Sequence, residues 1–415
     1  MDLGFEGGFY TLKCLINPQI HSEWLKESEN GYIKLPETSF KTVFANDILT
    51  SAKASWLPYF TKRGTSPDVF HLASVVDLVK KYKDGKFIFP QNIDVVTGGF
   101  PCQDFSLAGK RKGFKSHKNH LGVVGDETGD PTIENRGLLY IWMKEVIEIV
   151  KPKMFIAENV KGLVTLDEAK TIIENDFRTI DKNGYLVLPA RVLRAASYGI
   201  PQNRERVFFI GFNKKYITQK AIINLQKSNI DFEYDPYPPI THYQANGSNT
   251  QKTVFDFNSD HLNLVPFVRT KEVLKGLKEP SEEEKDLSQI NYSKARFYGK
   301  NLQGNSEIHL DDIGPTIRSE HHGNIEFRRL SKENGGKHLE ELEKGLAERR
   351  LTVRECARLQ TFPDDYAFVK QGKRNDPLNI SASAAYKLIG NAVPPLLAYH
   401  IAKKIDYIWD NIFVD

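Results

Sequence analysis

The chain has 415 residues, with 57 lysines and arginines against 53 aspartates and glutamates, and 40% of its residues are hydrophobic. That length supports two or three domains, and a mean hydropathy of −0.44 without a long apolar run excludes a helical membrane span. The 25 phenylalanines and 17 tyrosines exclude a disordered chain, while the net charge of +4 permits a nucleic-acid partner without requiring one.

Up to about residue 212, short apolar runs alternate with helical patterns, which reads as βα units around a parallel sheet. The runs Lys41–Ala45, Ile93–Thr97, Met154–Ala157 and Val207–Gly211 are predicted strands. A helix is predicted over Leu138–Val150, because Leu138, Ile141, Trp142, Val146 and Ile149 repeat at helical spacing and Lys151-Pro152 stops it. Thr165-Leu-Asp-Glu168 has the form of a capping box and predicts a further helix start. From Asn213 to Ser306 the pattern dissolves into prolines, polar residues and isolated apolar pairs, which predicts a separate, smaller and irregular domain. Regular pattern returns at Arg350 with a second capping box, Thr352-Val-Arg-Glu355. The chain end is predicted helical, with a break at Pro394-Pro395.

Three stretches could carry chemistry. The first is a short strand that runs into Gly98-Gly-Phe-Pro101-Cys102. Ligands gather beyond the carboxyl ends of strands in an open α/β sheet, so a thiol here is well placed to react. A buried structural cysteine is the bland alternative. The second stretch ends the run Met154–Ala157 in Glu158-Asn159-Val160, where a solvated loop acid is the ordinary case. In the third, Arg204 and Arg206 precede the run Val207–Gly211. If the strand has already begun there, alternation points both guanidiniums to one face, suited to phosphate or carbonyl oxygens. Two exposed surface arginines are the alternative. Cys14, Cys102 and Cys356 are too far apart for a disulfide framework, and no Cys/His cluster has metal-ligand spacing. With no signal peptide at the start, a reducing bacterial cytoplasm is the simplest location.

A thiol, a carboxylic acid and an arginine pair at strand ends suit methylation of cytosine at carbon 5. That carbon is a weak nucleophile until a thiolate adds at carbon 6, and the addition is eased by an acid at N3 and an arginine at O2. Taken in order, the motifs resemble those of the bacterial DNA (cytosine-5)-methyltransferases of restriction–modification systems. They are Gly99-Phe-Pro101-Cys102-Gln103, Arg136-Gly-Leu-Leu139, Glu158-Asn159-Val160, Gln202-x-Arg204-x-Arg206, Arg350 through Pro363, and Gly390-Asn391-Ala-Val393-Pro394.

The resemblance implies a Rossmann-like, mostly parallel sheet with an irregular target recognition domain at 213–306 and a return to the catalytic domain over 307–415. It implies Cys102 as nucleophile, Glu158 at N3, Arg206 at O2, and Arg204 as support for the loop or a phosphate. For S-adenosylmethionine it implies Asp47 at the ribose and Ile48 against the adenine, with Pro101, Leu139, Asn391 and Val393 completing the cofactor contacts. No counterpart is found in Phe70–Asp77 for the acid that usually meets the adenine amine. The basic segment Ser106–Glu134 corresponds to the loop that closes over DNA. The expected partners are double-stranded DNA and a cognate restriction endonuclease encoded nearby, a functional and not a physical partner, with the enzyme itself a monomer. Met1–Glu6 resembles the helical turn that follows the family's first strand and glycine loop, so roughly a dozen amino-terminal residues are expected to be missing. A catalytically impaired DNA-binding relic is therefore the rival from another class, and a tRNA cytosine-5 methyltransferase the rival within the fold.

Overall fold

The computed structural model describes residues 1–414 apart from 27, 101–139, 166–168, 246–262, 282–284, 300–303, 320–324 and 371–378. Its centre is a sheet in which the strand Val95–Gly99 lies parallel to Met154–Val160, and Met154–Val160 lies antiparallel to Glu205–Asn213. Beyond these, Tyr185–Val187 and Arg191–Arg194 both pair with Glu205–Asn213. A second parallel pair joins Ala45–Asp47 to Phe70–Leu72. The class is α/β, as the alternation of apolar runs and helical patterns predicts.

Both faces of the central sheet are covered, which explains why its strands read as continuous apolar runs. Met154, Ile156, Phe208, Ile210 and Phe212 face one core. Phe155, Ala157, Val207 and Phe209 face another, covered by the helices Tyr140–Val150 and Ala169–Arg178. Of the stripe predicted on the helix Tyr140–Val150, Ile141 packs on the sheet-side core, while the other described members face elsewhere. Tyr140, Met143 and Ile147 meet the sheet, whereas Trp142, Val146 and Ile149 pack with Val76 and Val79 of the helix Val75–Lys83. The helix ends at Lys151, whose φ of 51° turns the chain into Pro152. The predicted strand Lys41–Ala45 is displaced: the ladder runs over Ala45–Asp47, and residues 41–44 have no strand partner. Strand Val95–Gly99 is half-exposed along its length, and among the described residues its only strand partner is Met154–Val160.

At the chain start, the helix Asp2–Glu6 packs against the long carboxyl-terminal helix Pro395–Ile412. The region after Asn213 is largely irregular, yet Ile217, Ala221, Leu225, Tyr234 and Tyr237 enter the same core as that carboxyl-terminal helix. Further on, the irregular chain is held by arginines. The Thr352 capping box forms: its hydroxyl accepts from the Glu355 N–H at 3.0 Å, and the Glu355 carboxylate accepts from the Thr352 N–H at 2.8 Å. Every residue of the helix that follows, Val353–Leu359, is buried. Its guanidiniums therefore need partners, because an unpaired buried charge is costly.

Arg349 forks onto Glu279 and Glu355. Arg350 donates to the carbonyls of Ala295, Arg296, Gly304 and Ile325 and to the Asn305 side chain. Arg354 takes Asp286, and Arg358 takes Asp364 together with the carbonyls of Val273 and Lys275. One helix and its lead-in thus pin residues 273–305. Burial would raise the Glu279 carboxyl, but hydrogen bonds from Arg349 and Arg329 hold it down to about 2.

A second buried cluster gathers histidines. His21 stacks on Trp24 with ring centroids 3.7 Å apart, and His400 lies 5.2 Å from His21 and 5.4 Å from Tyr198. Burial, then the charge of His21, pushes His242 down to about 4, and His400 is driven down by burial and by both other imidazoles. The fold keeps these rings neutral while the unfolded chain protonates them near their ordinary 6.5. Their stabilisation is present above 6.5 and is lost as pH falls toward 4, about 3 kcal/mol for His242 alone. The urea midpoint should fall between pH 7 and pH 5, and His242→Gln should flatten that slope. Equal midpoints at the two pH values would contradict this account.

Candidate active site

The candidate site forms where the central strands end. In the parallel register Gly99 stands beside Glu158, and in the antiparallel register Arg206 stands beside Val160 and Phe208 beside Glu158. Alternation therefore puts Glu158 and Arg206 diagonally on one face of the sheet. Arg206 Nε lies 2.8 Å from Glu158 Oε1 in an ion pair, and Arg206 Nη1 donates to the Glu205 carbonyl at 2.8 Å. Glu158 is 9% exposed, so this pair is largely withdrawn from water. Such a pair can hold an acid in one orientation and present a cation beside it.

The strand Val95–Gly99 delivers the chain to the same place. A Cβ added at Gly99 would stand 3.1 Å from Glu158 Oε2, so the absence of a side chain there leaves the carboxylate room. Asn159 Nδ2 donates to the Phe100 carbonyl at 3.2 Å and fixes the last described residue before Pro101 and Cys102. Pro101, Cys102 and Leu139 lie outside the described residues, as does the segment Ser106–Glu134. The two described cysteines are poor candidates for a thiolate. Desolvation and then the charge of Glu272 push Cys14 up to about 11, and burial raises Cys356 further.

Arg204 goes elsewhere. The regular ladder begins at Glu205, so the alternation that would align the two arginines does not extend to it. Arg204 is 1% exposed and donates to the carbonyls of Ile317 at 3.0 Å, Gly390 at 2.9 Å and Ala392 at 2.7 Å. It therefore braces the turn that follows the helix Ala382–Asn391, the turn that carries Asn391 and Val393. Gly390 meets the Arg318 backbone so closely that a Cβ there would lie 2.1 Å from the Arg318 carbonyl carbon.

Asp47 ends the strand Ala45–Asp47 and accepts from the Leu49 N–H at 2.8 Å. Burial raises its carboxyl, opposed by the backbone N–H groups of Leu49 and Ile48 and by the charge of Lys387 in the helix Ala382–Asn391. Ile48 is 49% exposed, an apolar side chain turned out beside an acid, and Asn391 is exposed while Val393 is buried. A carboxylate for a diol next to an apolar face for a flat base is a donor set that fits a nucleoside. Among the described residues no group of three or more His, Cys, Asp or Glu could hold a metal.

Sequence reasoning missed Asn159, the Gln202 and Gln360 pair described below, and the clamp function of Arg350, Arg354 and Arg358. The signal for the clamp is present: Arg350, Arg354 and Arg358 recur at every fourth position, in and just before the helix Val353–Leu359.

A sequence profile of the C-5 cytosine-specific DNA methylase family matches residues 30–407. The chain is 31% identical over 426 residues to the type II methyltransferase M.BspRI of Lysinibacillus sphaericus, covering 99% of this chain and 81% of that one. It is 27% identical over 418 residues to M.BsuRI of Bacillus subtilis, covering 98% and 76%. A solved structure of a putative prophage-encoded DNA modification methyltransferase from E. coli aligns with a TM-score of 0.46 at 21% identity, over 90% of this chain and 94% of that chain.

The two arginines should separate in experiment. Arg204→Met leaves buried carbonyls without donors and should cost on the order of 3 kcal/mol, seen as a lower thermal midpoint. Arg206→Lys keeps a charge at a less buried site and should move that midpoint far less. Equal shifts would show that the two play the same structural part.

Proposed function

The chain belongs to the C-5 cytosine-specific DNA methylase family, and we propose that Cys102, Glu158 and Arg206 carry its reaction on a cytosine turned out of duplex DNA. It is a DNA (cytosine-5)-methyltransferase of the type II restriction–modification kind. The observation that carries the residue-level reading is the Glu158–Arg206 pair at 2.8 Å beside Gly99, three residues before Cys102 in the sequence. Two residues of backbone reach about 7 Å at most, so Phe100 anchors the approach to the thiol.

The chemistry follows from these groups. The Cys102 thiolate adds to C6 of cytosine and the C5–C6 double bond shifts toward C5. Glu158 stands at N3, where the addition changes the charge of the ring, and Arg206 supports O2 while it holds the Glu158 carboxyl in place. Loss of the C5 proton to water and departure of the Cys102 sulfur as thiolate, with the C6–S electron pair, restore the aromatic ring. Bound S-adenosylmethionine supplies the electrophilic methyl group. Asp47 would hold its ribose hydroxyls and Ile48 its adenine. Pro101, Leu139, Asn391 and Val393 would complete the enclosure, braced by Arg204. Base selection needs the target nucleotide extruded from the stack, because neither N3 nor C6 is reachable inside a duplex. The irregular region 213–306, pinned through Arg349, Arg350, Arg354 and Arg358, is assigned to reading the flanking sequence. Protection of host DNA from a cognate endonuclease is the expected biological outcome.

Cys102→Ser should abolish methyl transfer while DNA binding survives, because the change removes the thiolate and little volume. Glu158→Gln should slow transfer by ~10²–10⁴-fold. Tritiated-methyl incorporation into unmethylated DNA measures both, and bisulfite sequencing of host DNA with and without the gene reads the target. Turnover retained by Cys102→Ser would overturn the assignment.

A further inference from the structure

Gln202 and Gln360 are both fully buried, 158 residues apart in sequence, and their polar atoms form a single network. Gln202 Nε2 donates to Gln360 Oε1 at 2.7 Å and to the Leu359 carbonyl at 3.2 Å, and Gln202 Oε1 accepts from the Ile317 N–H at 3.0 Å. Gln360 Nε2 donates to the Ala392 carbonyl at 2.6 Å. That same carbonyl accepts from Arg204 at 2.7 Å, and Arg204 also takes the Ile317 carbonyl at 3.0 Å. The bonds close a ring through residues 202, 360, 392, 204 and 317.

Two buried amides are an unusual way to fill a core, since apolar residues of similar volume carry no desolvation cost. What a fully satisfied polar ring adds is a single allowed arrangement of the segments it joins. Here those segments are the lead-in to Arg206, the turn bearing Asn391 and Val393, the end of the helix Val353–Leu359, and residues 314–318. The contact is reinforced on both sides. The Gly314 N–H donates to the Pro201 carbonyl at 2.9 Å, and a side chain at Gly390 would strike the Arg318 backbone. The turn on the cofactor side cannot shift without dragging the strand start on the base side.

We propose that Gln360, acting with Gln202, is a positioning residue for methyl transfer: it fixes the turn Gly390–Val393 relative to the Glu158–Arg206 pair, so that methyl donor and base meet in line. Gln360 itself touches neither. The proposal rests on the functional reading above, in which Arg206 serves the base and Asn391 and Val393 serve the cofactor.

The test uses the full-length enzyme, tritiated S-adenosylmethionine and unmethylated bacteriophage DNA, well below the melting temperature of the least stable variant. Gln360→Met and Gln202→Met should each lower kcat/KM for S-adenosylmethionine on the order of 10²-fold, the effect of a misplacement of about 1 Å. KM for DNA should stay within about twofold. Gln360→Glu keeps the bond from Gln202, loses the one to Ala392, and should lower kcat/KM for S-adenosylmethionine in the same way. Because a ring is opened only once, the double variant should be little worse than either single one. Unchanged kinetic constants, or losses that multiply in the double variant, would overturn the assignment. So would variants that fail to fold, since the pair would then be a core element and not a positioning device. A wild-type enzyme that incorporates no label would instead overturn the functional reading and this assignment with it.

Discussion

The site depends on one register. Met154–Val160 is clamped between a parallel neighbour and an antiparallel one, and the two pairings together place Gly99, Glu158 and Arg206 at a single sheet end. A slip of one residue in either ladder would turn Glu158 toward the opposite core, because side chains alternate. That slip is opposed by two apolar faces, each filled by alternate residues of the same strands. The acid and its arginine are therefore oriented by packing that lies well away from them.

Around this sheet the buried guanidiniums do work that apolar residues could not. Arg204 and Arg350 spend their donors on backbone carbonyls of irregular segments, which would otherwise be buried without partners. Arg349, Arg354 and Arg358 pair with acids from other parts of the chain. The planar fork of arginine suits this role, where a lysine would satisfy fewer oxygens. Irregular chain is in this way fastened to the regular elements around it.

Much of this was legible in the sequence. The strand ends at Glu158 and before Pro101-Cys102 were visible because a doubly covered strand is an apolar run, and the Thr352 capping box was visible because its two residues are local. Alternation alone did not separate Arg204 from Arg206, since the difference depends on where the ladder begins, and only the family resemblance gave them different parts. The stripe on Tyr140–Val150 was found, but its partner was not, because periodicity alone does not distinguish a sheet from a neighbouring helix. The glutamine ring and the histidine cluster were invisible, as they join residues hundreds of positions apart. The strand at 45–47 was placed early because the first four residues of the run 41–45 lie outside the ladder among the described residues.

The central claim is that a thiolate from Cys102 attacks the base beside Glu158. Peptide mapping after incubation with 5-fluorocytosine DNA and S-adenosylmethionine addresses it directly, because the fluorine blocks release of the sulfur. The account predicts one denaturant-stable adduct, on the peptide containing Cys102, forming far more slowly in Glu158→Gln. An adduct on Cys14 or Cys356, or efficient methylation of ordinary DNA with no adduct on the fluorinated substrate, would contradict it.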